Sequence, residues 1–200
     1  MNVKHIPNIL TLIRMLAIPV LVVVFYLPVW WAHLGASIIF TLASITDWLD
    51  GYLARTFQVS TRLGAFMDPV ADKLMVSIAL VLIVGESQFQ YVSAPNAIVT
   101  VPAAMLAIPS AIIVSREILV SALREWMAEI GKRTSVAVSW LGKVKTAVQM
   151  VAVAVLLFCS PSSNAFIIFL GYLFLYVSVV LTIWSMVIYL KAAWPELNAQ

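Results

Sequence analysis

Asp47, Asp50, Asp68 and Asp72 are carboxylates set within stretches that are otherwise largely apolar. An aspartate at the centre of a membrane span costs about 2.5–3.5 kcal/mol on insertion scales, so four of them need a compensating partner. On an α-helix, Asp47, Asp50, Gly51 and Ala54 fall within roughly 100° of one face. Gly64, Asp68 and Asp72 follow at four-residue intervals and step along one face of the next helix. The connection between them, near 57–61, is short, so the two helices are expected to be antiparallel neighbours. Four facing carboxylates repel one another and partly protonate unless a cation lies between them. Hard oxygen ligands favour Mg2+ or Mn2+. Two such ions sharing a carboxylate can clamp the attacking and leaving oxygens of a phosphoryl transfer. Gly51, Ala54 and Gly64 leave space where a nucleotide or pyrophosphate can approach the backbone, and Arg55 can pair with a phosphate. A salt bridge accounts for any one of these acids, and close helix packing accounts for the small residues alone. Neither accounts for the whole pattern.

The elements that position these residues follow from composition. Of the 200 residues, 63% are hydrophobic and 10% charged, and the mean hydropathy is +1.03. Soluble domains average about 45–50% apolar and about 25% charged, so the natural solvent for this chain is lipid. Six stretches reach the length of a span: 9–31, 34–55, 63–85, 97–130, 142–159 and 164–191. The fourth is too long for a span alone, and its second half carries Arg116, Glu117, Arg124, Glu125 and Glu129, so it is expected to project from the membrane. With six spans, all twelve Lys and Arg fall on or near one side, and the opposite loops hold only His33 and Glu86 as possible charges. The positive-inside rule then puts both termini in the cytoplasm. Asp50 lies five residues before Arg55, and Asp68 six after Arg62. Each therefore sits roughly 8–9 Å inside the cytoplasmic edge, at lipid-headgroup depth.

The expectation is an all-α integral membrane protein, one domain over 1–200, with six transmembrane helices. Lys4 ahead of an apolar stretch imitates a signal peptide, but Arg14 interrupts it and no clean cleavage site follows, so the stretch reads as a retained first helix. Trp30 and Trp31 at one interface, and Trp48, Trp126, Trp140 and Trp194 towards the other, fit aromatic belts. Cys159 stands alone, which excludes an intramolecular disulfide or a Cys-based metal site. No polybasic run or RNA-type motif points to nucleic acid.

The run Asp47-x2-Asp50-Gly51-x2-Ala54-Arg55-x8-Gly64-x3-Asp68-x3-Asp72 resembles the signature of the CDP-alcohol phosphotransferases at every position and interval. Further likeness lies in Ile6-Pro7-Asn8 with Thr11 and Arg14, in Arg116-Glu117 with Arg124-Glu125, and in Gly142-Lys143 with Lys145, Thr146 and Gln149. These resemble the members of that family that use a glycerol phosphate acceptor, and the stretch 86–102 adds little to the likeness. The resemblance implies CDP-diacylglycerol and sn-glycerol 3-phosphate as substrates, two divalent ions per site, and a homodimer in a bacterial inner membrane. It implies Asp47, Asp50 and Asp68 as metal ligands, with Asp68 bridging. Asp72 would be a second-metal ligand and the general base. Asn8, Thr11, Gly51, Ala54, Arg55 and Gly64 would border the CDP moiety.

The acceptor would be a small dianion, so its pocket needs fixed positive charge. Arg116, Lys143 and Lys145 are the first candidates, with Arg124 and Thr146 next; Lys143 and Lys145 stand near a helix N-terminus, which itself favours an anion. Glu117 could orient the surroundings of Arg116 or brace Arg124, and Arg14 could partner an aspartate. Basic residues at span ends also serve topology and anionic-lipid contact, the preferred reading for Lys132, Arg133 and Lys191. Three other functions compete with this reading. A transporter would carry its acids near the midplane in paired halves, a scaffold would not need them, and another member of the same family would take a different alcohol.

Overall fold

The computed structural model describes residues 6–57, 62–94, 97–132 and 140–198. These form six α-helices: α1 (Ile6–Phe25), α2 (Ala32–Phe57), α3 (Arg62–Gly85), α4 (Ala104–Glu129), α5 (Trp140–Phe158) and α6 (Ala165–Leu197). Helix ends are marked by local chemistry. The Asn164 side chain accepts the Phe166 N–H at 2.9 Å and caps α6. At the end of α4, Gly131 takes φ +75°. Its N–H reaches the Ala128 carbonyl at 3.1 Å, and the Lys132 N–H reaches that of Met127 at 2.8 Å. This paired closure satisfies two carbonyls at the helix end and uses glycine's tolerance of the left-handed region.

One expectation needs correction. The stretch from 97 does not enter the fourth helix directly. Residues Tyr91–Ala94 and Ala97–Thr100 form β1 and β2, an antiparallel pair in register from Tyr91↔Thr100 to Ala94↔Ala97, a small hairpin in the connection between helices of the expected α-helical fold. Tyr, Val, Ile and Thr favour a pleated strand. Pro102 lacks an N–H and restricts the residue before it, which delays the helix to Ala104. The sixth helix also runs past the expected end at 191, to Leu197.

α4 and α6 are long and apolar enough to cross a membrane, and α1 and α2 contain shorter apolar segments, Leu10–Phe25 and Ala32–Asp47. Only 33% of the most apolar window of α4 or α6 is buried. Large apolar side chains such as Phe166, Phe169, Val180, Ile183 and Trp184 face outward along α6. An unbroken outward apolar surface of this length suits lipid.

Inside the bundle, Leu21, Phe40, Leu80, Ile83, Ile113, Leu156 and Leu175 belong to one core drawn from all six helices. A smaller cluster of Val120, Met127, Tyr189 and Ala193 joins the later turns of α4 and α6. α2 packs on α1 and α5 more extensively than it meets α3 among the described residues, while α3 packs on α1, α4 and α5. α1 and α5 therefore link the two acid-bearing helices. Ser37 on α2 fastens to α5 by donating to the Ala154 carbonyl at 2.8 Å.

Contacts beyond the core fix which connections share an end. Gln88 Nε2 donates to the Cys159 carbonyl at 2.9 Å. The Tyr172 hydroxyl reaches the Phe89 carbonyl at 3.2 Å. The hairpin region thus gathers with the turn before α6. At the other end, Lys132 just past α4 pairs with Glu196 in the last turn of α6 at 2.6 Å.

Among the described residues α5 and α6 make the most extensive helix contact, and Gly171 allows their close approach. A Cβ at that position would lie 2.6 Å from Leu156 Cδ2 and 2.8 Å from its Cγ, and Leu156 is fully buried. Gly171→Ala is expected to destabilise the bundle by about 1–3 kcal/mol, the usual cost of overfilling a packed interior. Thermal unfolding in detergent measures this as a lowered midpoint. An unchanged midpoint would mean that Leu156 can swing aside at little cost.

Candidate active site

Arg14 leaves the inner face of α1 and is 2% exposed. Its guanidinium forms an ion pair with Asp47 of α2, whose side chain is half-buried. Thr11, one turn earlier on α1, is buried too. Asp72 of α3 is half-buried, and the charges of Asp47, Glu117, Arg14 and Lys145 all act on its carboxyl. Helices α1 to α5 thus each bring a charged group to one locus. Lys73, the next residue on α3, turns away and donates to Ser121 of α4.

The basic part of the site is built around Arg116 of α4. Its Nη2 donates to Ser185 Oγ of α6 at 3.0 Å. Its guanidinium carbon lies 5.7 Å from the centroid of the Tyr189 ring, within cation–π range. Its Nη1 approaches Glu117 Oε1 at 3.3 Å. The same carboxylate oxygen accepts from Lys145 Nζ of α5. Arg116 is 8% and Lys145 1% exposed, so both cations are held away from bulk water. Among the expected acceptor-side residues these two converge, whereas Arg124, Lys143 and Thr146 are exposed. Thr146 donates its hydroxyl to the Gly142 carbonyl at 2.9 Å, one turn back on its own helix.

Asn8 lies on α1, Asp50, Gly51, Ala54 and Arg55 on α2, and Gly64 and Asp68 on α3, all with helical backbone; their side chains lie outside the described residues. Among the described residues, no three acids or metal-binding side chains cluster tightly enough to hold an ion by themselves. Asp47 and Asp72 are described, and each is a hard oxygen donor on one of the two acid-bearing helices, as a Mg2+ or Mn2+ site requires. They fit as half of the expected four-carboxylate set.

The fold and the site together define a class. The CDP-alcohol phosphatidyltransferase family model matches residues 4–184, and the chain belongs to that family. It is 50% identical over 196 residues, 98% of both chains, to the CDP-diacylglycerol--glycerol-3-phosphate 3-phosphatidyltransferase of Escherichia coli (strain K12). The identity to the proteins of that name from Shigella flexneri serotype 5b (strain 8401) and Salmonella choleraesuis (strain SC-B67) is 50% and 51%, over the same share of each chain.

Sequence reasoning offered Glu117 a place beside Arg116 or Arg124 and Arg14 an aspartate partner, and it gave Ser185 and Tyr189 no role. Glu117 joins two helices by holding both cations. Arg14 pairs with Asp47. Ser185 and Tyr189 secure Arg116 from α6, which no motif had marked. The available signal was periodic: Ser178, Thr182, Ser185 and Tyr189 recur at helical spacing on one buried face of a strongly apolar helix.

Proposed function

We propose that this protein transfers the phosphatidyl group of CDP-diacylglycerol to sn-glycerol 3-phosphate, releasing phosphatidylglycerophosphate and CMP. The observation that carries this reading is the near-full-length identity to phosphatidyltransferases of that name, joined to two buried cations beside the acid locus. The acceptor hydroxyl oxygen attacks the lipid-side phosphorus. A new P–O bond forms to glycerol, the pyrophosphate P–O bond breaks, and CMP leaves.

Asp47, Asp50, Asp68 and Asp72 would hold two Mg2+ or Mn2+ ions, with Asp68 shared. Divalent metal bound there supplies neutralisation of the pyrophosphate charge and polarises the reacting phosphorus. Asp72 accepts the proton of the attacking hydroxyl. Gly51, Ala54 and Gly64 admit the CDP moiety, Arg55 pairs with its phosphate, and Asn8 and Thr11 border it from α1. Arg14 holds the Asp47 carboxylate in place. Arg116 and Lys145 bind the acceptor phosphate, and Arg124, Lys143 and Thr146 form the exposed approach to it. Positioning and electrostatics then supply most of the catalysis.

The enzyme is a homodimer in the bacterial inner membrane, with six spans, both termini cytoplasmic and the site facing the cytoplasm. The one-sided placement of all twelve Lys and Arg supports this topology. A shallow site suits one lipid-borne and one soluble substrate.

The test is CMP release by purified protein from CDP-diacylglycerol, with glycerol 3-phosphate, serine and inositol phosphate compared as acceptors. Glycerol 3-phosphate is expected to support turnover, and a chelator to abolish it until Mg2+ or Mn2+ is restored. Preference for another acceptor would reassign the substrate within the family. Full activity in chelator would remove the metal from the account.

A further inference from the structure

We infer that Glu117 is a positioning residue that locks Arg116 and Lys145 into one preformed receptor for the acceptor's phosphate. The inference rests on the acceptor-site reading above. It starts from an electrostatic difficulty. Two cations held 8% and 1% exposed repel each other, and neither has free water to screen it. Arg116 is anchored by Ser185 and Tyr189 of α6. Lys145 stands on a different helix at the end of a flexible four-carbon stem. The oxygen Glu117 Oε1 meets both: Arg116 Nη1 at 3.3 Å, and Lys145 Nζ in direct contact.

The geometry favours this role over a purely local salt bridge. Glu117 is the immediate chain neighbour of Arg116, so its own backbone is fixed by the same turn of α4 that Ser185 and Tyr189 secure. Its reach to Lys145 spans 28 positions in the chain and ties α5 to α4. One carboxylate between two cations leaves a net positive charge, enough to attract a dianion. It also removes the entropy that Lys145 would otherwise lose on meeting that dianion. Arg116 Nε is buried with no hydrogen-bond partner among the described residues, which leaves a donor for a phosphate oxygen.

Four purified variants, Glu117→Gln, Glu117→Asp, Lys145→Ala and Glu117→Gln/Lys145→Ala, test the inference through KM for each substrate and kcat. Glu117→Gln is expected to raise the KM for glycerol 3-phosphate about tenfold, with the KM for CDP-diacylglycerol nearly unchanged, because the charge that holds both cations in place is lost. Glu117→Asp keeps the charge with a shorter reach and is expected to fall between wild type and the Gln variant, which also serves if the latter is poorly folded. In the Lys145→Ala background, Glu117→Gln is expected to add less than it does in the wild type, since one of the two cations it holds is gone. Fully additive effects, or an unchanged or lowered KM for glycerol 3-phosphate in both Glu117 variants, would overturn the positioning role. If Lys145→Ala leaves that KM unchanged, the acceptor-site reading itself fails, a result separable from failure of the Glu117 inference.

Discussion

Asp68→Asn is expected to lower CMP release by about a thousandfold or more, the scale seen when a group that directly stabilises transition-state charge is removed. Asp68 stands midway between Gly64 and Asp72 on α3, at four-residue steps that line up on one helical face. It is the residue proposed to be shared by both metals. Asparagine keeps the size but loses the negative charge, so it is a far poorer ligand for Mg2+ or Mn2+. The local charge balance points the same way. Arg14, Arg116 and Lys145 match Asp47, Asp72 and Glu117 in number. Asp50 and Asp68 then add two negative charges to α2 and α3, which fits a demand for divalent cation. The variant should still insert and unfold at a similar temperature, because asparagine keeps the size of the side chain and changes only its charge. Mn2+ binding followed by electron paramagnetic resonance gives a readout independent of turnover, and the variant should bind fewer or weaker ions. Near-normal turnover with unaltered Mn2+ binding would contradict the metal assignment.

Much of this was legible because lipid simplifies the code. Long apolar runs could only be helices, since a spanning backbone must satisfy its own hydrogen bonds, and the helices found begin or end close to the expected limits. The four aspartates were conspicuous for the same reason: a charge is ordinary in a loop and costly in a span. The hairpin was missed because it lies where that pressure relaxes. Around 91–100, Val, Ile and Ala suit a helix by hydropathy and a strand by shape, and Pro102 was the available sign that the helix begins later. The basic cluster was half legible. Arg116 and Lys145 were chosen for charge and place, but charge alone could not separate buried Lys145 from exposed Lys143 two residues away. On α5 those two positions differ by about 200°, so one faces the bundle when the other faces out. Which one faces inward depends on how α5 rolls against α2, α3 and α6, and those contacts, Gly171 against Leu156 among them, lie outside any motif.

Arg116 has three fixed partners among the described residues: Ser185 at 3.0 Å, Glu117 at 3.3 Å and the face of Tyr189 at 5.7 Å. A guanidinium held this way offers its remaining N–H groups in one fixed plane, which suits two oxygens of a phosphate. Arg116→Ala is expected to raise the KM for glycerol 3-phosphate about a hundredfold, because both the charge and the fork disappear. Arg116→Lys restores the charge but not the fork, and an ammonium cannot reach Ser185 and Glu117 together, so it should recover only part of the loss. The KM for CDP-diacylglycerol should stay within a small factor of wild type in both. A parallel rise for both substrates would mark Arg116 as a strut for α4 and α6. Full recovery by lysine would mean that the site needs charge alone, and that Ser185 and Tyr189 serve packing rather than acceptor recognition.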